Sequence, residues 1–215
     1  MIKAVVFDMD GVLIEAKEWH YESLNKALRL FGYEINRHEH ITTFDGLPTR
    51  RKLEMLSRMR GMPVELHSFV NSMKQAYTME MVHVQCKPTF HHEYALAQLK
   101  RCGMKVAVAS NSIRHTVEVM MERSNLSQHM DVMLSNEDVK NAKPAPDIYL
   151  KAMESLGVRP EETMIVEDNE NGIKAAMESG AHVMVVSDTH DVNWQNISKH
   201  LTMFNKEISK RGIGR

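Results

Sequence analysis

An α/β fold, an open sheet interrupted by one long all-helical insertion, is predicted by three features of the 215-residue chain. Short unbroken apolar runs recur along it, polar and acidic clusters follow directly on those runs, and the stretch from about Glu15 to Gln85 shows helical periodicity with no strand signal. The first run, Ala4-Val5-Val6-Phe7, reads as a strand covered on both faces. Its carboxyl end is where open α/β sheets place ligands. Asp8, Met9, Asp10 and Gly11 stand there. On extended chain the two carboxylates start on the same side, and Gly11 lets the backbone turn sharply just beyond. A hard cation taking one Asp8 oxygen and the Asp10 carbonyl leaves a second Asp8 oxygen to attack and the Asp10 side chain to move protons. A strand end with solvated acids is the alternative reading.

The insertion is read as three helical stretches. Tyr21, Leu24, Ala27, Leu28 and Phe31 recur at intervals of three or four, and Gly32 closes that segment. Leu47 to Met59 and Leu66 to Met81 follow, parted by Gly61-Met62-Pro63. A helical insertion at the mouth of the sheet is expected to act as a cap whose closure excludes water and frames a substrate. The expected division is a core of residues 1–14 and 86–215 and a cap of residues 15–85, hinged near 14–18 and 83–88, with Pro88 marking re-entry.

Beyond the insertion, a helix from Thr89 to Gly103 leads into the strand Lys105–Ala109, which ends in Ser110-Asn111-Ser112. Those hydroxyl and amide groups suit phosphate oxygens, although small polar residues also form ordinary turns. The strand Asp131–Ser135 precedes Asn141-Ala-Lys143-Pro-Ala-Pro146, and the strand Thr163–Val166 ends in Glu167-Asp168. Asn169-Glu-Asn-Gly172 then opens a helix, where acids also serve as caps. Were these strands to share one parallel sheet, a single edge would receive two carboxylates, a hydroxyl, a lysine and two more carboxylates. Residues 187–215 hold no catalytic signal.

Composition narrows the function. A net charge of −1 argues against nucleic acid or an anionic membrane held by bulk electrostatics. The basic clusters Thr49–Lys52 and Lys206–Arg215 read as solvated. Cys86 and Cys102 have no metal-ligand spacing and read as free thiols in a reducing compartment. With no signal segment and no run of membrane-spanning length, a cytoplasmic location is expected. Many of the eighteen methionines, such as Met55, Met59 and Met62, read as adaptable apolar filler. There is no repeat and no Gly-rich dinucleotide fingerprint.

FDMDGV at 7–12, ASNS at 109–112, Lys143 in KPAPDIY and VEDNENGI at 166–173 together resemble the haloacid dehalogenase-like hydrolase superfamily, in order and spacing over essentially the whole chain. The resemblance implies a doubly wound, Rossmann-like parallel sheet with a movable cap, and phosphoryl transfer through an aspartyl-phosphate with Mg2+. By the same resemblance, Asp8 is the nucleophile and Asp10 the general acid and base. Ser110 and Lys143 hold the phosphoryl group with Asn111 nearby. Asp168 binds magnesium with Asp8 and the Asp10 carbonyl, and Glu167 is a direct or outer partner. In the β-phosphoglucomutase-like and sugar-phosphatase branch, His20 resembles a hinge histidine. Phe44–Arg50 resembles a substrate-facing cap loop in which Arg50 meets an anionic or polyhydroxyl part of the substrate, a plain surface arginine being the alternative, and Lys74 is a weaker candidate of the same kind. The expected function is phosphatase action on a small phosphorylated metabolite, a sugar or polyol phosphate first, by a monomer or homodimer. A phosphosugar mutase is the alternative. Glu15-Ala16 in place of the mutase Asp-Thr, and Arg50 one position late, count against it. A receiver-like domain is disfavoured because Asp8 lies on the first strand, and a catalytically inactive binding protein because every chemical position is filled.

Overall fold

Ala4–Phe7 forms β1, four residues buried without exception, at the centre of the sheet in the computed structural model, which describes residues 1–212. With β2 (Lys105–Ala109), β3 (Val132–Leu134), β4 (Thr163–Glu167) and β5 (His182–Val185), it makes a five-stranded sheet in the order β3-β2-β1-β4-β5. All the pairings are parallel. In register, Phe7 lies between Val108 on β2 and Val166 on β4. The chain moves outward from β1 through β2 to β3, then returns to the other side of β1 for β4. Connections leaving β1 and β4 therefore diverge and open a crevice at their carboxyl ends.

The chain divides into two compact units, Met1–Glu15 together with the chain from Lys87 on, and Ala16–Cys86. The second unit is helical: α1 (Lys17–Arg29), α2 (Arg37–Glu39), a π-helical turn His40–Phe44, α3 (Thr49–Arg60) and α4 (Leu66–Gln85). Its core gathers Leu24 and Leu28 from α1, Leu53 and Leu56 from α3, and Val70 from α4 with Ile35, Phe44 and Met62. Met55 and Met73 pack against it, while Met59 is 57% exposed. Asn25 lies on the buried face of α1, where it exchanges two hydrogen bonds with the backbone of Ile35, at 2.8 and 2.9 Å. That pairing satisfies a polar group the helix would otherwise bury at a cost. Gly61 ends α3 with φ 65°, a left-handed conformation that glycine adopts without strain.

In the first unit, α5 (Phe90–Arg101), α6 (Arg114–Arg123), α7 (Asp147–Leu156), α8 (Glu170–Glu178) and α9 (Trp194–Gly212) cover the sheet. Ala4, Val6, Ala107, Ala109 and Ile165 face Ile148, Tyr149 and Ala152 of α7 and Ala175 and Ala176 of α8. The alternate residues Val5, Phe7, Val106, Val108, Met164 and Val166 are equally buried. Both faces are thus covered, which is why the strands read as unbroken apolar runs. Burying a side chain of the size of Phe7 contributes about 1.5–3 kcal/mol. The segment after β5 completes the core: α9 buries Ile197, Leu201 and Phe204, and the Asn205 side chain accepts a 2.7 Å bond from the Ile2 amide, tethering the start of the chain. The end of the basic run Lys206–Arg215 lies outside the described residues. No helix among the described residues is long and apolar enough to cross a membrane.

Candidate active site

Asp8 continues the β1 ladder one residue further, its amide donating to the Val166 carbonyl at 3.0 Å. This fixes the carboxylate over the crevice between β1 and β4. Gly11 then turns the chain with φ 93°, and its amide donates to the Ile14 carbonyl at 2.7 Å. Lys143 arrives from the loop before α7 and is 3% exposed. Its ammonium donates to Asp8 Oδ1 at 2.5 Å and to Glu167 Oε1 at 2.8 Å. The Tyr149 hydroxyl, from the first turns of α7, donates to the same Glu167 oxygen at 2.5 Å, and the Asp168 amide donates to Glu167 Oε2 at 3.0 Å. Asp8, Glu167 and Asp168 each offer a carboxylate oxygen within 4.8 Å of the others.

The β2 loop supplies the polar wall. Ser110 is fully buried, donates its amide to Leu134, and accepts at Oγ from the Ser112 amide at 3.0 Å. Asn111 braces Lys143: its Oδ1 accepts from the Lys143 amide at 3.1 Å and its Nδ2 donates to the Lys143 carbonyl at 3.3 Å. Ser112 Oγ donates to Asp10 Oδ2 at 3.0 Å. Thus Asp8, Asp10, Ser110, Asn111, Lys143, Glu167 and Asp168 converge in one unit at one end of the sheet.

Burial raises the Asp8 carboxyl well above the usual carboxylate range; Lys143 opposes this, and Glu167, Asp168 and Asp10 add to it. For Lys143, burial favours the neutral form, but Asp8 and Glu167 outweigh it and leave the ammonium with a raised pKa. Burial, then the Glu167 charge, pushes the Tyr149 phenol well above its ordinary value, so it remains a donor. Four carboxylates meet one ammonium here. An all-oxygen, anionic donor set of this kind fits a hard divalent cation.

The candidates in the helical unit lie in other environments. Lys74 on α4 is buried and its ammonium donates to His20 Nδ1 on α1 at 3.1 Å, which fixes the proton of a neutral His20 ring on Nε2. Arg50 has a side chain 90% exposed and pairs with Glu54. Two residues on, Lys52 is only 8% exposed, not solvated as its basic neighbours suggested, because it falls on the same face of α3 as the buried Leu53 and Leu56. Its charge, after burial, helps lower the pKa of His40. Sequence reasoning reads Ser112 only within a cluster suited to phosphate oxygens, whereas its hydroxyl bonds Asp10, and it does not single out Tyr149. Both lie inside the motifs ASNS and KPAPDIY, so the signal is present, but their partners are set by loop geometry.

A family profile described as haloacid dehalogenase-like hydrolase matches residues 5–186. A phosphorylated carbohydrates phosphatase of Thermotoga maritima is 30% identical over 184 residues, covering 83% of this chain and 82% of its own. Among solved structures, a variant of CbbY from Rhodobacter sphaeroides in complex with xylulose-(1,5)bisphosphate superposes with TM-score 0.78 at 26% identity, covering 86% of each chain. A β-phosphoglucomutase from Clostridium difficile shares the fold with TM-score 0.83 at 21% identity, over 97% of this chain and 100% of its own. With its motifs gathered on one parallel sheet and the profile spanning the sheet from β1 to β5, the chain belongs to the haloacid dehalogenase-like hydrolase family.

Proposed function

We propose that this protein is a magnesium-dependent phosphatase that hydrolyses small phosphorylated metabolites, sugar or polyol phosphates first, through an aspartyl-phosphate on Asp8. The observation that carries the reading is the cluster of buried Asp8, Lys143 and Glu167 with half-buried Asp168 at the crevice between β1 and β4. Likeness to a phosphorylated carbohydrates phosphatase and to a protein crystallised with a ketose bisphosphate supports the substrate class.

Phosphate monoesters hydrolyse unaided at a rate that leaves an enzyme up to ~10²¹-fold to supply. Asp8 attacks phosphorus, and Lys143, already fixed by Glu167 and Asn111, neutralises the phosphoryl oxygens. Ser110 accepts a hydrogen bond from the Ser112 amide and so keeps its own proton for a phosphoryl oxygen. Asp10 protonates the leaving oxygen and later takes a proton from the incoming water. Asp8, Asp168 and the Asp10 carbonyl would hold Mg2+, with Glu167 bracing the set through Lys143 and the Asp168 amide. When bound, the dication offsets the crowded carboxylates, and Asp8 needs that offset because burial otherwise favours its neutral form. Lys74, His20 and Arg50 are the polar candidates for recognising the rest of the substrate.

Purified protein with magnesium is expected to release phosphate from 4-nitrophenyl phosphate, and Asp8→Asn to lower kcat by at least ~10³-fold. A panel of phosphorylated sugars, polyols and short organic acids, read as initial rates, identifies the substrate. Turnover by Asp8→Asn at the wild-type rate would remove Asp8 as nucleophile and the reading with it.

A further inference from the structure

Asp10 carries the mobile proton in the proposed reaction, yet it stands on a turn and not on a strand. Its neighbour Gly11 is at positive φ, and Asp10 itself makes a bridge to Ile14 as the loop folds back. A carboxyl with two rotatable bonds on a half-buried turn has to be oriented before it can deliver a proton. The hydroxyl of Ser112 does this, donating to Asp10 Oδ2 at 3.0 Å. Ser112 is itself anchored at both backbone polar groups. Its amide donates to Ser110 Oγ at 3.0 Å, and its carbonyl accepts from the Asn136 amide at 3.1 Å. The Asn136 side chain in turn donates to the Asn111 carbonyl at 2.7 Å. The hydroxyl is therefore presented from a loop tied to both β2 and the end of β3, across 102 residues of sequence from Asp10.

We infer that Ser112 is the positioning residue of the general acid and base: by donating to Oδ2 it sets the orientation of the Asp10 carboxyl. This rests on the phosphatase reading. In the first half, an Asp8 oxygen bonds to phosphorus while the bond to the leaving oxygen breaks, and the proton on the Asp10 carboxyl passes to that oxygen. In the second, a water oxygen bonds to phosphorus, one of its protons passes to the Asp10 carboxylate, and the bond from phosphorus to Asp8 breaks. The two serines of the motif thus divide the work, Ser110 facing the phosphoryl group and Ser112 the proton carrier.

A leaving-group comparison tests the assignment. Nitrophenolate departs without a proton, whereas phenolate benefits from one, so a misaligned Asp10 penalises phenyl phosphate more than 4-nitrophenyl phosphate. With magnesium present, Ser112→Ala should lower kcat/KM about tenfold on phenyl phosphate and only about twofold on 4-nitrophenyl phosphate, and Ser112→Thr should restore the wild-type ratio. In an Asp10→Ala background, Ser112→Ala should add no further loss on phenyl phosphate. Equal losses on both esters, a change confined to KM, or full additivity with Asp10→Ala would overturn the assignment. Absence of wild-type turnover of either ester would instead sink the phosphatase reading beneath it.

Discussion

Glu167 shows how tightly a single carboxylate is held in this core. It has no exposed surface, and Lys143, Tyr149 and the Asp168 amide occupy its two oxygens. Gly172 passes directly beside it, so that a β-carbon there would stand 1.8 Å from Glu167 Oε1. A flexible surface carboxylate could swing away, but this one would have to release a buried ammonium and a buried phenol. Gly172→Ala is expected to destabilise the fold by about 3 kcal/mol or more, because breaking a buried ion pair costs about that much, and to depress phosphate release with it. Urea unfolding alongside a phosphate assay checks this; an unchanged midpoint would mean that Glu167 has room to move. Legibility at this scale was uneven. Residues that end strands, such as Asp8, Ser110 and Glu167, were readable because an apolar run points at them. Lys52 was not, since each step along a helix turns the side chain by about 100°, and only the packing of α3 decides which of several basic residues turns inward.

His92 belongs to the scale of elements, because it fastens the start of α5 to the segment after β5. Its Nε2 donates to the Thr189 carbonyl at 2.8 Å with the ring 2% exposed. Burial lowers its pKa from 6.5 to about 4; the Thr189 bond opposes that shift, and His91 and His190 reinforce it. The folded chain therefore binds this proton less readily than the unfolded chain, so stability is full above pH 6.5 and falls as the pH drops towards about 4. Between pH 7 and pH 5 this one group should remove about 2 kcal/mol, and His92→Gln should lose correspondingly less over that interval. Urea midpoints at the two pH values decide it, with identical losses in both proteins as the result that refutes the role. Among elements, β1, β2 and β4 were legible nearly to the residue, because strands buried on both faces leave no polar interruption. The helices α1, α3 and α4 were legible from periodicity. The π-helical turn at His40–Phe44 and the long α9 were not, since one depends on local hydrogen bonding and the other on a face whose partners lie far off in sequence.

For the whole molecule, a cation bound only by the folded state adds stability by mass action. At a magnesium concentration one hundred times its dissociation constant, the gain is about 2.7 kcal/mol, or roughly 5–10 °C in Tm for a chain of this size. Asp168→Asn should abolish that shift, whereas an equal shift in the variant would place the ion elsewhere. The same sheet order governs how the chain is made. β1 is synthesised first, yet its two neighbours begin at Lys105 and Thr163. At about 5–20 residues per second, on the order of ten seconds pass before the ribosome delivers both. Until Lys105–Ala109 emerges, this wholly apolar strand has no lateral partner, and only transient burial beneath the helices that follow it, or a chaperone, would keep it from other chains.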